Sequence, residues 1–149
     1  MEPLELVRHY LPQGRMMQVA TVVDGQPWIC TVYFVEDDDL NLYWLSLPTR
    51  RHSQEIARHN KIAVAVPIKF GKPVIGIQAE GRAEAVADKE LIARVMQRYV
   101  ERYDSGKQFY DNFVAGRNQH VLFKFTPSKY VLFDEATFAV DTRKEISLG

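Results

Sequence analysis

A single cysteine, Cys30, stands in a chain of 149 residues, which excludes an internal disulfide and any thiolate metal cluster. Its neighbours are apolar, so a buried, inert thiol is expected rather than a reactive one. Histidine is scarce as well. His9, His52, His59 and His120 are scattered and form no His-x-x-x-His pair, so no metal site is expected. Neither charge sign dominates, with 19 basic and 19 acidic residues. With no basic stripe carrying interleaved aromatics, no nucleic-acid partner is expected. No apolar run reaches membrane-spanning length. The start of the chain, Met1-Glu2-Pro3-Leu4-Glu5, is acidic where a secretory signal is basic. A cytoplasmic protein without a membrane partner is therefore the expectation. There is no Gly-x-Ser-x-Gly elbow and no Gly-x-x-x-x-Gly-Lys phosphate loop. Asp37-Asp38-Asp39 lacks the alternating ligands and terminal glutamate of a calcium loop, and reads as a solvated turn. No nucleophile–base pair stands out, so catalytic residues stay unassigned. If the protein is an enzyme, the reactive atoms belong to a cofactor.

What is present is ordinary globular material. Hydrophobic residues make up 46% of the chain, enough for one domain over residues 1–149 with a sizeable core. Leu4 to Leu11 reads as a short amphipathic helix. Met17 to Val23, Trp28 to Val35 and Leu40 to Leu45 read as strands, joined at Asp24-Gly25 and at the aspartate turn into an antiparallel meander. Pro48-Thr49 starts a helix running to about His59, with Asn60 as a left-handed cap. Ile62 to Ile68 and Val74 to Val86 are further strands, the latter with Gly76 and Gly81 at positions that suggest bends. Asp88 caps a helix from Lys89 to Tyr103. Its wide apolar stripe reads as core or subunit packing. A short helix around Gln108 to Val114 precedes two closing strands, His120 to Phe125 and Lys129 to Phe133. The residues from Glu135 onward are mostly polar and read as a loose tail or a swapped arm. The fold class is mainly β with inserted helices, in a small antiparallel barrel.

The stretch with most chemical content is Arg50-Arg51-His52, in the first turn of a predicted helix. A helix N-terminus presents free N–H groups and a positive dipole end, and so favours anions, phosphate above all. Cationic side chains there oppose the dipole. A phosphorylated ligand is one reason for them, and a solvated basic turn is the other reading.

Several segments taken in order carry a family resemblance: Val19 to Pro27, Leu42-Tyr43-Trp44-Leu45-Ser46, Arg50-Arg51-His52, Asn60 to Val64, Glu80-Gly81-Arg82-Ala83-Glu84 and Phe123 to Val131. Together, from Met16 to Asp134, they resemble the FMN-binding split-barrel proteins of the pyridoxamine 5′-phosphate oxidase-like superfamily. The resemblance implies an antiparallel, Greek-key-like split β-barrel and a homodimer holding FMN at its interface. It also implies oxidoreductase activity on a small-molecule substrate. It places the FMN phosphate at Ser46, Arg51 and His52, with Arg50 adjacent. The flavin ring falls against the backbone of Thr31, Val32 and Tyr33, with Gln78 as a ring or ribityl contact. Tyr33, Trp44 and His52 are near-site candidates without assigned roles. Two departures argue against vitamin B6 phosphate oxidation. Cys30 and Val35 stand where the true oxidase carries Arg and Lys. Phe133-Asp134-Glu135-Ala136-Thr137 replaces its Arg-x-His segment. Alternatives within the superfamily are an F420 binder, a haem binder with His120 as axial ligand, or a non-catalytic flavin-binding dimer.

Overall fold

The computed structural model describes residues 1–149. Helix α1 (Pro3–Tyr10) leads through a 3₁₀ turn into strands β1 (Met16–Val23) and β2 (Gln26–Tyr33). The short β3 (Val35–Glu36), β4 (Leu42–Ser46) and helix α2 (Arg51–Arg58) follow. Then come β5 (Lys61–Lys69), β6 (Ile75–Ala85), α3 (Lys89–Tyr103), α4 (Lys107–Val114), β7 (Val121–Asp134) and β8 (Arg143–Ser147). The strands form one antiparallel sheet in the order β2-β1-β5-β6-β7-β4-β3, with β8 added to β7. Its two ends are consecutive in the chain, since only Phe34 separates β2 from β3. The sheet must therefore curl until those ends meet, which makes a split β-barrel.

Phe34 is fully buried, and α3 holds this crossing point. The Phe34 amide donates to the Tyr103 hydroxyl at 3.1 Å, and that hydroxyl donates back to the Phe34 carbonyl. The Arg102 guanidinium also bonds the Phe34 carbonyl and grips Glu36 at 2.5 and 2.6 Å. Inside the barrel, Met17, Phe34, Trp44, Val66, Ile77, Phe125 and Leu132 pack with Val7 and Leu11 of the N-terminal segment. The stripe on α3 buries Val95, Met96 and Tyr99 against Val35, Tyr43, Phe113 and Leu122, so it serves as core. At the end of β7, buried Asp134 accepts hydrogen bonds from the Tyr10 hydroxyl and from the Ala136 and Thr137 amides. Burial opposes the charge, but hydrogen bonds from the Thr137 side chain and amide, Tyr10 and Ala136 outweigh it and hold the carboxyl below its ordinary range.

Four expectations need correction. The first three sheet strands are not a meander, because β4 pairs with β7 rather than with β2. The chain breaks at Phe34 and changes sheet edge there. The two closing strands are one 14-residue strand, β7. A register shift between Glu80 and Gly81 of β6 absorbs Ser128, whose hydroxyl bonds the Glu80 carbonyl at 3.1 Å. Pro127, which has no N–H, falls at this irregularity, where a missing ladder bond is tolerated. The polar tail contains β8, which lies along β7 with Lys129 paired to Glu145. Finally, α2 starts at Arg51 rather than Pro48, and its C-cap is His59 in an extended conformation.

Gly81 is required by contact rather than by conformation. A Cβ there would lie 2.1 Å from the Thr126 carbonyl oxygen and 2.8 Å from Pro127 Cα. Both are backbone atoms of the neighbouring strand. Gly81→Ala is expected to destabilise the fold by about 3 kcal/mol, the upper end of overpacking effects. Urea denaturation measures it, and a loss below about 1 kcal/mol would mean that β7 shifts freely.

Candidate functional site

Strand β4 ends at Ser46 and a turn closed by Arg50 N–H to Leu47 C=O leads into α2. The α2 N-cap is Arg50, which offers no side-chain cap. The N–H groups of Arg51, His52 and Ser53 consequently have no acceptor in the protein. The contrast with α3 is direct. There Asp88 accepts from the Glu90 and Leu91 amides and closes its own helix end. An open helix end flanked by cations is suited to an anion.

The side chains around this turn divide into two groups. Ser46 and His52 are buried and face each other, with Ser46 Oγ 2.7 Å from His52 Nε2. Ser53 is buried too, and its hydroxyl donates to the Leu47 carbonyl at 2.9 Å. These contacts tie the end of β4 to the first turn of α2. The arginines lie outside. Arg50 is exposed and makes no ion pair. Arg51 sits over the Trp28 ring, 4.1 Å from its centroid, and donates Nε–H to Glu55 Oε2 at 2.8 Å. Glu55 in turn accepts from the buried Thr21 hydroxyl at 2.6 Å. The Thr21 and Arg51 hydrogen bonds hold the Glu55 carboxyl below its ordinary range.

Burial, followed by the nearby Arg50 charge, lowers the pKa of His52, while Glu55 opposes the shift. The unfolded chain takes up this proton near the ordinary value of 6.5, and the folded chain only at lower pH. The unfolded state therefore binds more protons in the interval between the two values. Stability from this group is complete above about pH 6.5 and declines as the pH falls through the folded value. Denaturation midpoints of the wild type are expected to drop over that interval. His52→Gln, which keeps an amide near Ser46, is expected to flatten that part of the curve. Parallel curves would show that His52 is not the titrating group.

Beside this turn runs β2, which pairs only with β1 and leaves its other edge open. Thr31 and Tyr33 project to one face and are exposed, whereas Val32 projects inward and is buried. Tyr33 rests against Tyr103 with ring centroids 5.0 Å apart. The unpaired N–H and C=O groups of this edge suit the polar rim of a planar heterocycle. Trp28 belongs to the same strand, about 10 Å along from Thr31 by strand rise. Trp28 pairs with the buried Thr21 and so lies on the face of β2 that carries Val32, and Arg51 reaches β2 from the side opposite Thr31 and Tyr33.

Gln78 is not brought to β2 within one chain. It shares a cross-strand row with Ala65, Gln18 and Thr31, so two strands separate it from β2, a distance of about 14 Å at sheet spacing. It lines a shallow cavity of about 360 Å³ on the outer sheet face, with Gln18, Ala20, Ile29, Ala63 and Lys129. Trp44 is inside the core, stacked on Phe123, and its indole Nε1 has no hydrogen-bond partner. Cys30 is half-buried, and burial pushes its thiol up to about 11. His120 is exposed and held by Asn118 at 2.9 Å. No group of three or more His, Cys, Asp and Glu side chains is placed to hold a metal ion. No helix is long and apolar enough to cross a membrane.

Sequence reasoning missed Thr21, Trp28 and Glu55. The four-residue spacing of Arg51 and Glu55 was a readable signal. Nothing local linked either to Thr21 or Trp28.

The family of pyridoxamine 5′-phosphate oxidase matches residues 4–139. The chain belongs to this family. Among solved structures, a conserved hypothetical protein of Mycobacterium tuberculosis is 19% identical with a TM-score of 0.78, covering 100% of this chain and 92% of that one. An FAD-binding protein of Mesorhizobium loti is 20% identical with a TM-score of 0.62, covering 87% and 92%. A heme-binding protein of Mycobacterium smegmatis is 12% identical with a TM-score of 0.73, covering 94% of this chain and 55% of that one. At these identities the likeness is one of fold. No curated protein sequence matches the chain. This pyridoxamine 5′-phosphate oxidase family member thus carries the family barrel with Cys30 and Val35 on the stretch from β2 to β3.

Proposed function

We propose that this protein binds FMN between two copies of the chain and acts as an oxidoreductase on a small molecule other than a vitamin B6 phosphate. The observation carrying this reading is the uncapped α2 N-terminus, flanked by Arg50 and Arg51, with Arg51 resting on Trp28 of the sheet-edge strand β2. One end suits a dianionic phosphate and the other a planar ring with donor and acceptor groups, which matches the two ends of FMN. Bound flavin supplies two-electron redox chemistry. The protein orients the ring along β2, anchors the phosphate through backbone amides and arginine, and limits water access.

A second copy accounts for Gln78 and for the outer sheet face. That face carries the exposed Ile29 among small residues at Ala20, Ala63, Ala65 and Gly76. Packing two such faces together brings Gln78 of the partner subunit towards the β2 edge. The absence of Arg and Lys at positions 30 and 35 supports a substrate without its own phosphate. Asp134, in the stretch replacing the Arg-x-His segment, is engaged with Tyr10 and adds no cation. The relatives named for FAD and heme make flavin and haem both reasonable ligands for this barrel. The open helix end favours the phosphate-bearing flavin, and F420 shares that phosphate chemistry.

The test is titration of the purified protein with FMN, followed by flavin fluorescence and visible absorbance, with light scattering for mass. Saturable quenching at one FMN per chain in a dimer supports the reading. No binding of FMN overturns it, and binding of F420 alone would transfer the site to the deazaflavin.

A further inference from the structure

Glu55 is out of place in an anion site. It lies one helical turn behind Arg51, and its charge repels a phosphate. The chain nevertheless holds it in two ways, by the buried Thr21 hydroxyl at 2.6 Å and by Arg51 Nε at 2.8 Å. Its side chain is 13% exposed, against 45% for Arg51. An arginine has one Nε–H and four Nη–H donors in a rigid plane. Glu55 occupies Nε, and the Trp28 ring covers one face of that plane at 4.1 Å. The Nη fork makes no hydrogen bond in the protein. A flexible cation is thereby fixed in orientation with its forked end unused, and a preorganised donor loses less freedom when it binds.

We infer that Glu55, anchored by Thr21, is a positioning residue that holds Arg51 against Trp28 and keeps its Nη fork free for a phosphate group at the α2 N-terminus. This rests on the flavin reading of that site. The two possible roles of Glu55 have opposite signs. As a bare charge near phosphate it weakens binding, so its neutralisation would tighten the complex. As a positioning residue it strengthens binding, so its neutralisation weakens the complex.

The experiment measures FMN dissociation constants by fluorescence for wild type, Glu55→Gln, Thr21→Val, Arg51→Ala and the Arg51→Ala/Glu55→Gln double variant, with thermal melts alongside. Glu55→Gln is expected to weaken FMN binding about tenfold, the scale of one charge-assisted hydrogen bond. Thr21→Val, which leaves every charge in place, is expected to weaken it in the same direction. In the Arg51→Ala background the Glu55→Gln change is expected to have no effect or to tighten binding. Tighter or unchanged binding in Glu55→Gln alone overturns the inference. So does an equal loss with and without Arg51, which would mark a purely structural role. If wild type binds no FMN, the flavin reading fails and inorganic phosphate becomes the probe, followed by Trp28 fluorescence in a Trp44→Phe background. A phosphate response that Glu55→Gln abolishes then upholds the positioning role without flavin. A response absent from wild type, or unchanged in Glu55→Gln, overturns it.

Discussion

Arg50→Ala/Arg51→Ala is expected to weaken FMN binding at least a hundredfold while leaving the fold intact. Neither side chain is buried, and neither belongs to the barrel core. A hydrogen bond to a charged group is worth about 1.5–3 kcal/mol, and 1.4 kcal/mol is tenfold in affinity. Two such contacts reach about a hundredfold even after solvent screening. Truncating Arg51 also leaves the Glu55 carboxylate facing the phosphate without its counter-charge. The salt dependence of FMN binding should shrink in the same variant, because the two cations carry it. The measurement is a fluorescence titration at two ionic strengths, with circular dichroism as the fold control. Affinity within threefold of wild type would remove α2 as the phosphate site.

Arg102→Ala is expected to destabilise the protein by about 3–5 kcal/mol, the range for breaking a buried ion pair from one side. Arg102 and Glu36 are 11% and 10% exposed and meet at 2.5 Å. Removing the guanidinium leaves the Glu36 carboxylate shielded from water with no cation, and also strips one donor from the Phe34 carbonyl. For a chain of this size, each kcal/mol moves the melting temperature by roughly 2–4 °C, so a fall of about 10 °C is expected. Replacing both partners with apolar residues, Glu36→Leu/Arg102→Met, should be milder than Arg102→Ala, since no orphaned charge remains. A double variant as unstable as the single one would show that side-chain packing, not charge pairing, dominates here. The location adds a functional consequence. Phe34 is where the chain passes from one sheet end to the other, so loosening it frees the end of β2 that carries Tyr33.

Local features were readable where residue period and turn chemistry decide them. The Asp24-Gly25 hairpin, the Asp88 cap and the extent of α3 all follow from a few neighbouring residues. The aspartate turn was readable for the same reason. Asp37 accepts from the Asp39 and Asn41 amides, an arrangement local to five residues. Pairing across the chain was less accessible. Thr126-Pro127-Ser128 signals a turn within β7, since proline and serine are turn residues, yet the irregularity opposite Gly81 accommodates both within one strand. β8 has no clear local signal, because an exposed edge strand alternates charged and half-buried residues and its polar row resembles a tail.

The sequence alone was sufficient for the barrel class, the family resemblance and the basic turn at Arg50-Arg51-His52, because each depends on residue types at short spacing. Tertiary structure decided the rest of the candidate site. It turned Ser46 and His52 towards each other, anchored Glu55 to a threonine 34 residues away, and laid Arg51 on Trp28. It also separated Gln78 from Thr31 by two strands. These relations depend on which strands become neighbours when the sheet curls to bring β2 and β3 together at Phe34. That choice is made by burial of the whole apolar set at once, which no short segment encodes.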